Sequence, residues 1–166
     1  MKHKNIKKNV INSKSLSFRE SFNKKYQINN FDDWILKNYK FKKNMEILDI
    51  GCGNGKQIIQ AIKILKKSGR IVGIDLSKKS IIKLNTFINR KSLKNLKLIK
   101  DSMDDIGLFF KKGKISGKFD LIHSTYAFYY SQNFIKILQY LKNKLNKNGK
   151  FIITFPGGKN SLKSDY

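Results

Sequence analysis

The chain of 166 residues has few of the residues that build disulfide-bonded or metal-binding proteins, and it has no long apolar run. Its one cysteine, Cys52, excludes an internal disulfide and is typical of a reducing compartment. One cysteine and two histidines are too few for a metal-ligand cluster. No apolar run reaches the roughly 18 residues of a membrane-spanning helix, and none follows the basic N-terminus as in a signal peptide. These absences predict a cytoplasmic protein without a metal and without contact to a membrane.

Acidic residues and arginine are also scarce, although the chain is strongly basic. It has 36 Lys and Arg against 11 Asp and Glu, a net charge of +25, yet only three of the basic residues are arginine. Such a charge often indicates a nucleic-acid partner. However, arginine is favoured where phosphate is bound by two hydrogen bonds, and the lysines are spread over every segment. The composition therefore leaves RNA open as a partner but does not favour it.

What the chain does contain is a run of alternate glycines after a short apolar segment. Residues 46–55 read Glu-Ile-Leu-Asp-Ile-Gly-Cys-Gly-Asn-Gly, and residues 56–67 have the apolar period of a helix. Glycine lets the backbone turn sharply and a ligand approach closely. A strand, a glycine turn and a helix together place a ligand at the carboxyl end of a strand in an open α/β sheet.

The glycine spacing argues against a phosphate-bearing ligand. Dinucleotide folds carry Gly-x-Gly-x-x-Gly, whereas Gly51, Gly53 and Gly55 alternate, and no Gly-Lys-Ser/Thr follows as in a P-loop. An acid, Asp49, precedes the loop and suits a ligand with cationic groups better than a polyanion. A nicotinamide-dependent oxidoreductase on a related fold is therefore the weaker alternative.

Further apolar segments predict four more strands, at 70–75, 96–100, 119–125 and 151–155, with a helix over 131–145 that ends at Asn148-Gly149. Strands that alternate with helices predict a doubly wound, mostly parallel α/β sheet. Asp75 ends the second strand, twenty residues after Gly55, where nucleotide folds place an acid for ribose hydroxyls. Ser77 is the expected cap of the next helix, which would leave Asp75 free for the ribose.

Over about residues 44–156 these segments resemble the class I S-adenosylmethionine-dependent methyltransferases. The resemblance implies a three-layer Rossmann-like sheet, S-adenosylmethionine as the cofactor, and methyl transfer to an acceptor. We expect a small-molecule acceptor, with RNA as the alternative. It further implies that the glycine loop holds the methionine end of the cofactor, Asp75 the ribose, and residues 101–103 the adenine. The candidate cofactor-binding residues are Asp49, Gly51, Cys52, Gly53, Gly55, Asp75, Leu76, Asp101, Ser102, Met103 and His123.

No catalytic residue is assigned, because the family often has none that is fixed. His123, Tyr126 and Tyr129, at and after the end of the fourth strand, are weak candidates. The alternative is that the histidine is structural and that the tyrosines pack in the core or in the cleft wall. Their spacing does not separate these roles. Cys52 is expected to be a small residue of the loop and not a nucleophile.

Three regions are predicted along the chain. Residues 1–17 form a disordered basic tail, residues 18–43 a helical cap, and residues 44–166 the cofactor-binding domain. The cap would contain two short helices, over 18–28 and 31–39. Trp34 and Ile35 would anchor them in the core, or Tyr26 and Trp34 would face the cleft. The family pattern has seven strands, so the last two are expected to be missing here. A cofactor-binding module without independent turnover is therefore a further alternative.

Overall fold

The computed structural model describes residues 30–90 and 93–155, which contain one five-stranded parallel sheet flanked by helices. The strands are β1 (Glu46–Ile50), β2 (Arg70–Asp75), β3 (Leu96–Lys100), β4 (Phe119–Thr125) and β5 (Leu145–Thr154). The helices are α1 (Phe31–Tyr39), α2 (Lys56–Leu65), α3 (Lys78–Arg90), α4 (Ile106–Lys111) and α5 (Phe134–Lys142). Short 3-10 turns lie at Met103–Asp105 and Phe128–Tyr130. The predicted basic tail, the helix over 18–28 with Tyr26, and the chain after residue 155 lie outside the described residues.

The sheet buries both faces, as its apolar strands predict. Successive side chains of β1, such as Ile47 and Leu48, belong to two separate apolar clusters. The first cluster packs α1, α2 and α3 on one face, and the second packs α4 and α5 on the other. The expected three-layer α/β architecture is therefore confirmed.

The strand order is β3-β2-β1-β4-β5, with every pair parallel. The chain builds outward from β1 to β3, then returns to the other side of β1 with β4. The order therefore reverses between β1 and β4. In open α/β sheets this switch point opens a crevice outside the carboxyl ends of the strands, where ligands bind. The glycine loop leaves β1 at that place.

The end of α5 and the start of β5 differ from the prediction. The helix predicted over 131–145 is shorter at both ends, and Leu145 is the first residue of β5, where it pairs with Phe119. Asn148-Gly149 does not end a helix but lies within β5, at a shift of register against β4. Asn148 has a φ of 68°, in the left-handed region. Pairing with β4 thus overrides the local helical pattern.

The helix α1 has the predicted bounds, but one of its two anchors is wrong. Ile35 is fully buried, whereas Trp34 is 42% exposed and lies on the surface. Its ring stacks on Phe31 with centroids 5.9 Å apart and an interplanar angle of 7°. Core packing of α1 comes instead from Ile35 and Tyr39.

Candidate functional site

The glycine loop has the sharp turns that its sequence predicts. Gly51, Gly53 and Gly55 have φ values of 75°, 51° and 77°. The backbone N–H of Gly51 donates to the carbonyl of Ile74 at 2.8 Å, so the loop folds across the end of β2. A Cβ at Gly51 would lie 2.1 Å from the Cβ of Ala127. Glycine is therefore required at position 51 both by the backbone conformation and by the segment that follows β4.

Asp75 fixes this loop to the end of β2. Its Oδ2 accepts from the N–H of Gly53 and its Oδ1 from the N–H of Ser77, both at 2.7 Å. Burial raises the pKa of Asp75, and the two N–H donors oppose that shift. Ser77 accepts from the N–H of Ser80 at 3.2 Å, as expected of a cap. We expected Asp75 to be free for the ribose, but each of its carboxylate oxygens already accepts one backbone hydrogen bond. Each oxygen can still accept a further one.

Asp49 and His123 lie beneath the loop and form a buried polar pair. They are register partners in β1 and β4, and each side chain is 1% exposed. His123 Nδ1 lies 3.5 Å from Asp49 Oδ1, longer than a hydrogen bond. Neither His123 Nδ1 nor Asp49 Oδ2 has a hydrogen-bond partner. Both predicted site residues are thus brought together, but under the loop and not on its surface.

The electrostatics of the pair favour a cation nearby. Burial, followed by the charge of Asp75, raises the pKa of Asp49 well above 3.8. Burial lowers the pKa of His123 from 6.5 to about 3, so the imidazole is neutral at pH 7. An ionised Asp49 would therefore gain no countercharge from His123. A positively charged ligand group would stabilise the carboxylate.

The candidate adenine-binding residues lie close to the loop, but two of them are already paired. The Ser102 N–H donates to Asp101 Oδ1 at 3.0 Å. The Ser102 hydroxyl caps the 3-10 turn by accepting from the N–H of Asp104 at 3.2 Å. The Met103 Cε lies 3.8 Å from the place of a Cβ at Gly51, so this segment reaches the glycine loop.

Two other candidate cofactor contacts differ in exposure. Leu76, directly after Asp75, is 42% exposed. Cys52 is buried, and a Cβ at Gly73 would lie 3.1 Å from its Sγ. Burial raises the pKa of this thiol, which suits a small core residue and not a nucleophile. Any contact of Cys52 with a ligand would therefore involve its backbone.

An aromatic wall (Phe31, Trp34 and Tyr126) stands beside the loop. Tyr126 directly follows β4 with a φ of 54°, unusual for a bulky residue. Its ring stacks on Phe31 at 5.3 Å, and it directly precedes Ala127, whose Cβ would clash with a Cβ at Gly51. Tyr129 is 38% exposed, with its ring 6.2 Å from Phe155. Of the weak catalytic candidates, the two tyrosines are thus at the surface, whereas His123 is not.

The helix α1 also contacts the start of α2. Asp32 Oδ1 lies 2.9 Å from the Nζ of Lys56, the residue that directly follows Gly55. With the stacking of Phe31 on Tyr126, the beginning of α1 contacts segments on two sides of the glycine loop. Phe31, Asp32 and Lys56 are not among the site residues predicted from the sequence. The acids in the first turn of α1 indicate a helix start, but no local signal identifies their partner.

Other site types are absent from the part of the chain that the structure describes. Residues 30–90 and 93–155 contain no group of three or more His, Cys, Asp or Glu that could hold a metal ion. No helix within those ranges is long and apolar enough to cross a membrane. A groove of about 680 Å³ beside α4, lined by Phe110, Tyr140 and Lys144, contains none of the candidate site residues.

Replacement of Asp75 tests the loop assignment. Asp75→Ala should weaken S-adenosylhomocysteine binding by about 1–3 kcal/mol, because a charged acceptor and the support of Gly53 are lost. The matched control is Asp120→Ala. Asp120 accepts from the N–H of Glu46 at 2.9 Å and from Asn146 Nδ2 at 2.7 Å, at the opposite end of the sheet. Titration calorimetry of both folded variants should show a weaker affinity for Asp75→Ala alone, and equal losses would show that the site is misplaced.

Comparison with known proteins agrees with this architecture. A family model described as a methyltransferase domain matches residues 41–164. A tRNA U34 carboxymethyltransferase of Campylobacter fetus subsp. fetus is 31% identical over 118 residues, which are 71% of this chain and 39% of that protein. A protein of Saccharolobus solfataricus, described as a probable cobalt-precorrin-6B C(15)-methyltransferase (decarboxylating), is 30% identical over 119 residues, 71% of this chain and 56% of its own.

Solved structures show the same fold. The crystal structure of a SAM-dependent methyltransferase from Aquifex aeolicus superposes with a TM-score of 0.54 and 23% identity, covering 69% of this chain and 57% of that one. The chain spans 39% and 56% of the length of the two curated relatives named above. The family model covers most of the chain. The chain therefore belongs to the methyltransferase-domain family, the class I S-adenosylmethionine-dependent methyltransferases of Rossmann-like fold.

Proposed function

We propose that this chain binds S-adenosylmethionine at the glycine loop and transfers its methyl group to an acceptor. The observation that carries the proposal is Asp49 Oδ2, a buried carboxylate oxygen without a partner, beneath a loop that Asp75 holds in shape. S-adenosylmethionine carries an ammonium and a sulfonium, and such cationic groups would compensate the charge of Asp49. A polyanionic dinucleotide would not.

The residues would act by binding and alignment. When bound, S-adenosylmethionine supplies a methyl group already activated by the sulfonium charge. Asp49 would stabilise the cationic end, and Asp75 would accept ribose hydroxyls while it keeps the loop closed. Because the donor is activated, proximity and alignment supply most of what the protein must add. A general base is needed only for an acceptor that must lose a proton.

Tyr126 is the surface candidate for contact with the acceptor. Burial raises the pKa of Tyr126 above 10.0, so its hydroxyl stays protonated at pH 7. It would then act as a hydrogen-bond donor or a stacking surface, and not as a base. Tyr126→Phe should change the methyl-transfer rate less than Tyr126→Ala if stacking dominates, and binding of S-adenosylhomocysteine to both variants should stay close to that of the wild type.

For the acceptor we favour a small molecule with an apolar or planar part. The aromatic wall supports this choice, because stacked rings beside the loop bind apolar and planar groups well. RNA is the second candidate, supported by the tRNA named for the Campylobacter fetus relative, and the net charge of +25 is compatible with it. Methyl transfer from labelled donor to bulk tRNA or to small-molecule extracts would separate the two. For location, we propose the cytoplasm on the basis of the single cysteine.

The decisive experiment titrates the 166-residue chain with S-adenosylhomocysteine, with NAD as the control ligand. Saturable binding of the first ligand alone supports the cofactor assignment. No binding in a chain shown to be folded by circular dichroism would overturn it. Binding without turnover on any acceptor would favour the alternative of a cofactor-binding module.

A further inference from the structure

Asp49 and His123 are buried side by side, and each has a polar atom without a hydrogen-bond partner. Both side chains are 1% exposed and point to the face of the sheet that α1 covers, where the imidazole lies 4.7 Å from the ring of Tyr39. His123 Nδ1 is near Asp49 Oδ1 and lacks any other partner, while Asp49 Oδ2 has none. Two polar groups in neighbouring strands are thus buried together with one unmade hydrogen bond between them.

We propose that His123 is a positioning residue, whose neutral Nδ1–H holds Asp49 Oδ1 and leaves Oδ2 for a cationic group of the ligand. The inference rests on the proposed function, since the ligand is the one proposed for the glycine loop. The distance of 3.5 Å need shorten by only about 0.5 Å to become a hydrogen bond. Hydrogen bonds at functional sites are often long without ligand and tighten when the ligand binds.

A neutral imidazole is suited to this role in a way that a cation is not. An imidazolium at position 123 would itself neutralise Asp49, and the carboxylate would then gain little from a cationic ligand. A neutral N–H donor stabilises the ionised carboxylate by a hydrogen bond but leaves its charge uncompensated. The neutral imidazole therefore favours ionisation of Asp49 and leaves the negative charge of the carboxylate to be compensated by the ligand.

Among the titratable groups that face Asp49 in the described chain, His123 is the one placed to take this role. The titratable groups that face it are Asp75 on β2, His123 on β4, Tyr39 on α1 and Cys52 in the loop. Asp75 repels the carboxylate, and the Cys52 thiol is kept protonated by burial. The Tyr39 hydroxyl bonds to Thr125 Oγ1 at 2.7 Å. His123 is thus the one of the four placed to hold Asp49.

The inference predicts that ligand affinity depends on pH through Asp49 and that His123 sets the position of that dependence. The ligand prefers ionised Asp49, so affinity falls as pH is lowered through the pKa of Asp49. Loss of the His123 donor disfavours the ionised form and moves the midpoint to higher pH. A shift of about one pH unit corresponds to about tenfold weaker binding at a pH below both midpoints.

The test measures the dissociation constant of S-adenosylhomocysteine against pH for the wild type, His123→Leu and His123→Asn. We expect the midpoint to rise by about one unit in His123→Leu and to return towards the wild type in His123→Asn, whose amide keeps a donor. Tyr39→Phe is the matched control, because it alters the same buried cluster but keeps the ring against His123. It should leave the midpoint unchanged. Equal profiles for wild type and His123→Leu would overturn the inference.

A second measurement uses the wild type alone, so it depends neither on the folding of a variant nor on methyl transfer. Nitrogen NMR of the wild type should show a neutral His123 with its proton on Nδ1. When S-adenosylhomocysteine is added, the chemical shift of Nδ1 should change in the direction expected of a stronger hydrogen bond. A proton on Nε2 alone would overturn the inference. If the wild type does not bind the ligand, the proposed function fails first, whereas binding with an unprotonated Nδ1 overturns only the role of His123.

Discussion

Asp49→Asn is expected to weaken binding of S-adenosylhomocysteine by about 1.5–3 kcal/mol, or about 10- to 150-fold at neutral pH. The replacement keeps the size of the side chain and removes its charge. The unpartnered Oδ2 is the atom that we assign to the ammonium of the ligand, so a neutral amide loses the charge-assisted part of that contact. Titration calorimetry of the folded variant gives the change directly.

The same replacement, which weakens ligand binding, should stabilise the fold relative to the wild type as pH rises. Burial raises the pKa of Asp49 in the folded state above the value of 3.8 for a free carboxyl, so the folded state retains a proton that the unfolded state loses. Stability is therefore lost as pH rises from 3.8 to the raised pKa. Asp49→Asn lacks this loss. Its melting temperature, relative to the wild type, should increase with pH over that window.

The control for Asp49 is Asp120→Asn, an acid at the opposite end of the sheet. It should leave the affinity for S-adenosylhomocysteine unchanged, since Asp120 bonds to Glu46 and Asn146 and not to the loop. If Asp49→Asn binds as tightly as the wild type, the assignment of Oδ2 to the ligand is wrong.

The second large effect is expected for Gly51→Ala. The new Cβ would lie 2.1 Å from the Ala127 Cβ, at a φ of 75° that alanine rarely adopts. The backbone penalty is about 1–2 kcal/mol and the overpacking adds about 1–3 kcal/mol, so the free energy of unfolding should fall by about 2–5 kcal/mol. Displacement of Ala127 should also weaken ligand binding. Chemical denaturation measures the first effect and calorimetry the second.

Two variants separate the backbone penalty from the clash. Gly113→Ala has a similar φ of 67° with nothing within 4 Å, so it should show the backbone penalty alone and bind ligand normally. Gly51→Ala combined with Ala127→Gly removes the clash, because the next atom, the Ala127 Cα, is 3.6 Å away. The double variant should therefore recover to about the level of Gly113→Ala. No recovery would show that Ala127 is not what requires glycine at position 51.

The sequence predicted the elements whose signals are local. The strands β2, β3 and β4 have the predicted bounds, since each is a short apolar run. The glycine loop was recognised because its unusual backbone needs a residue without a side chain, and the structure places all three glycines in the left-handed region. The local pattern thus predicted the elements at the centre of the site.

The failures concern contacts between distant segments. The start of β5 was predicted as helix because Leu145 fits the apolar period of α5, and only pairing with Phe119 makes it a strand. The exposure of Trp34 depends on which face of α1 meets the sheet, which composition does not determine. The Asp49–His123 pair depends on the register of β1 against β4. No periodicity within either strand encodes that register.

The position of Trp34 makes the chain its own optical reporter. It is the one tryptophan of the sequence, it is 42% exposed, and it stacks on Phe31, whose other neighbour is Tyr126 beside the glycine loop. Indole emission depends on how far water reaches the ring. Occupation of the loop that alters this stack would therefore change the emission of a single, assigned residue. Ligand binding could then be followed in the unmodified protein, with no dye attached and no signal from a second tryptophan to subtract.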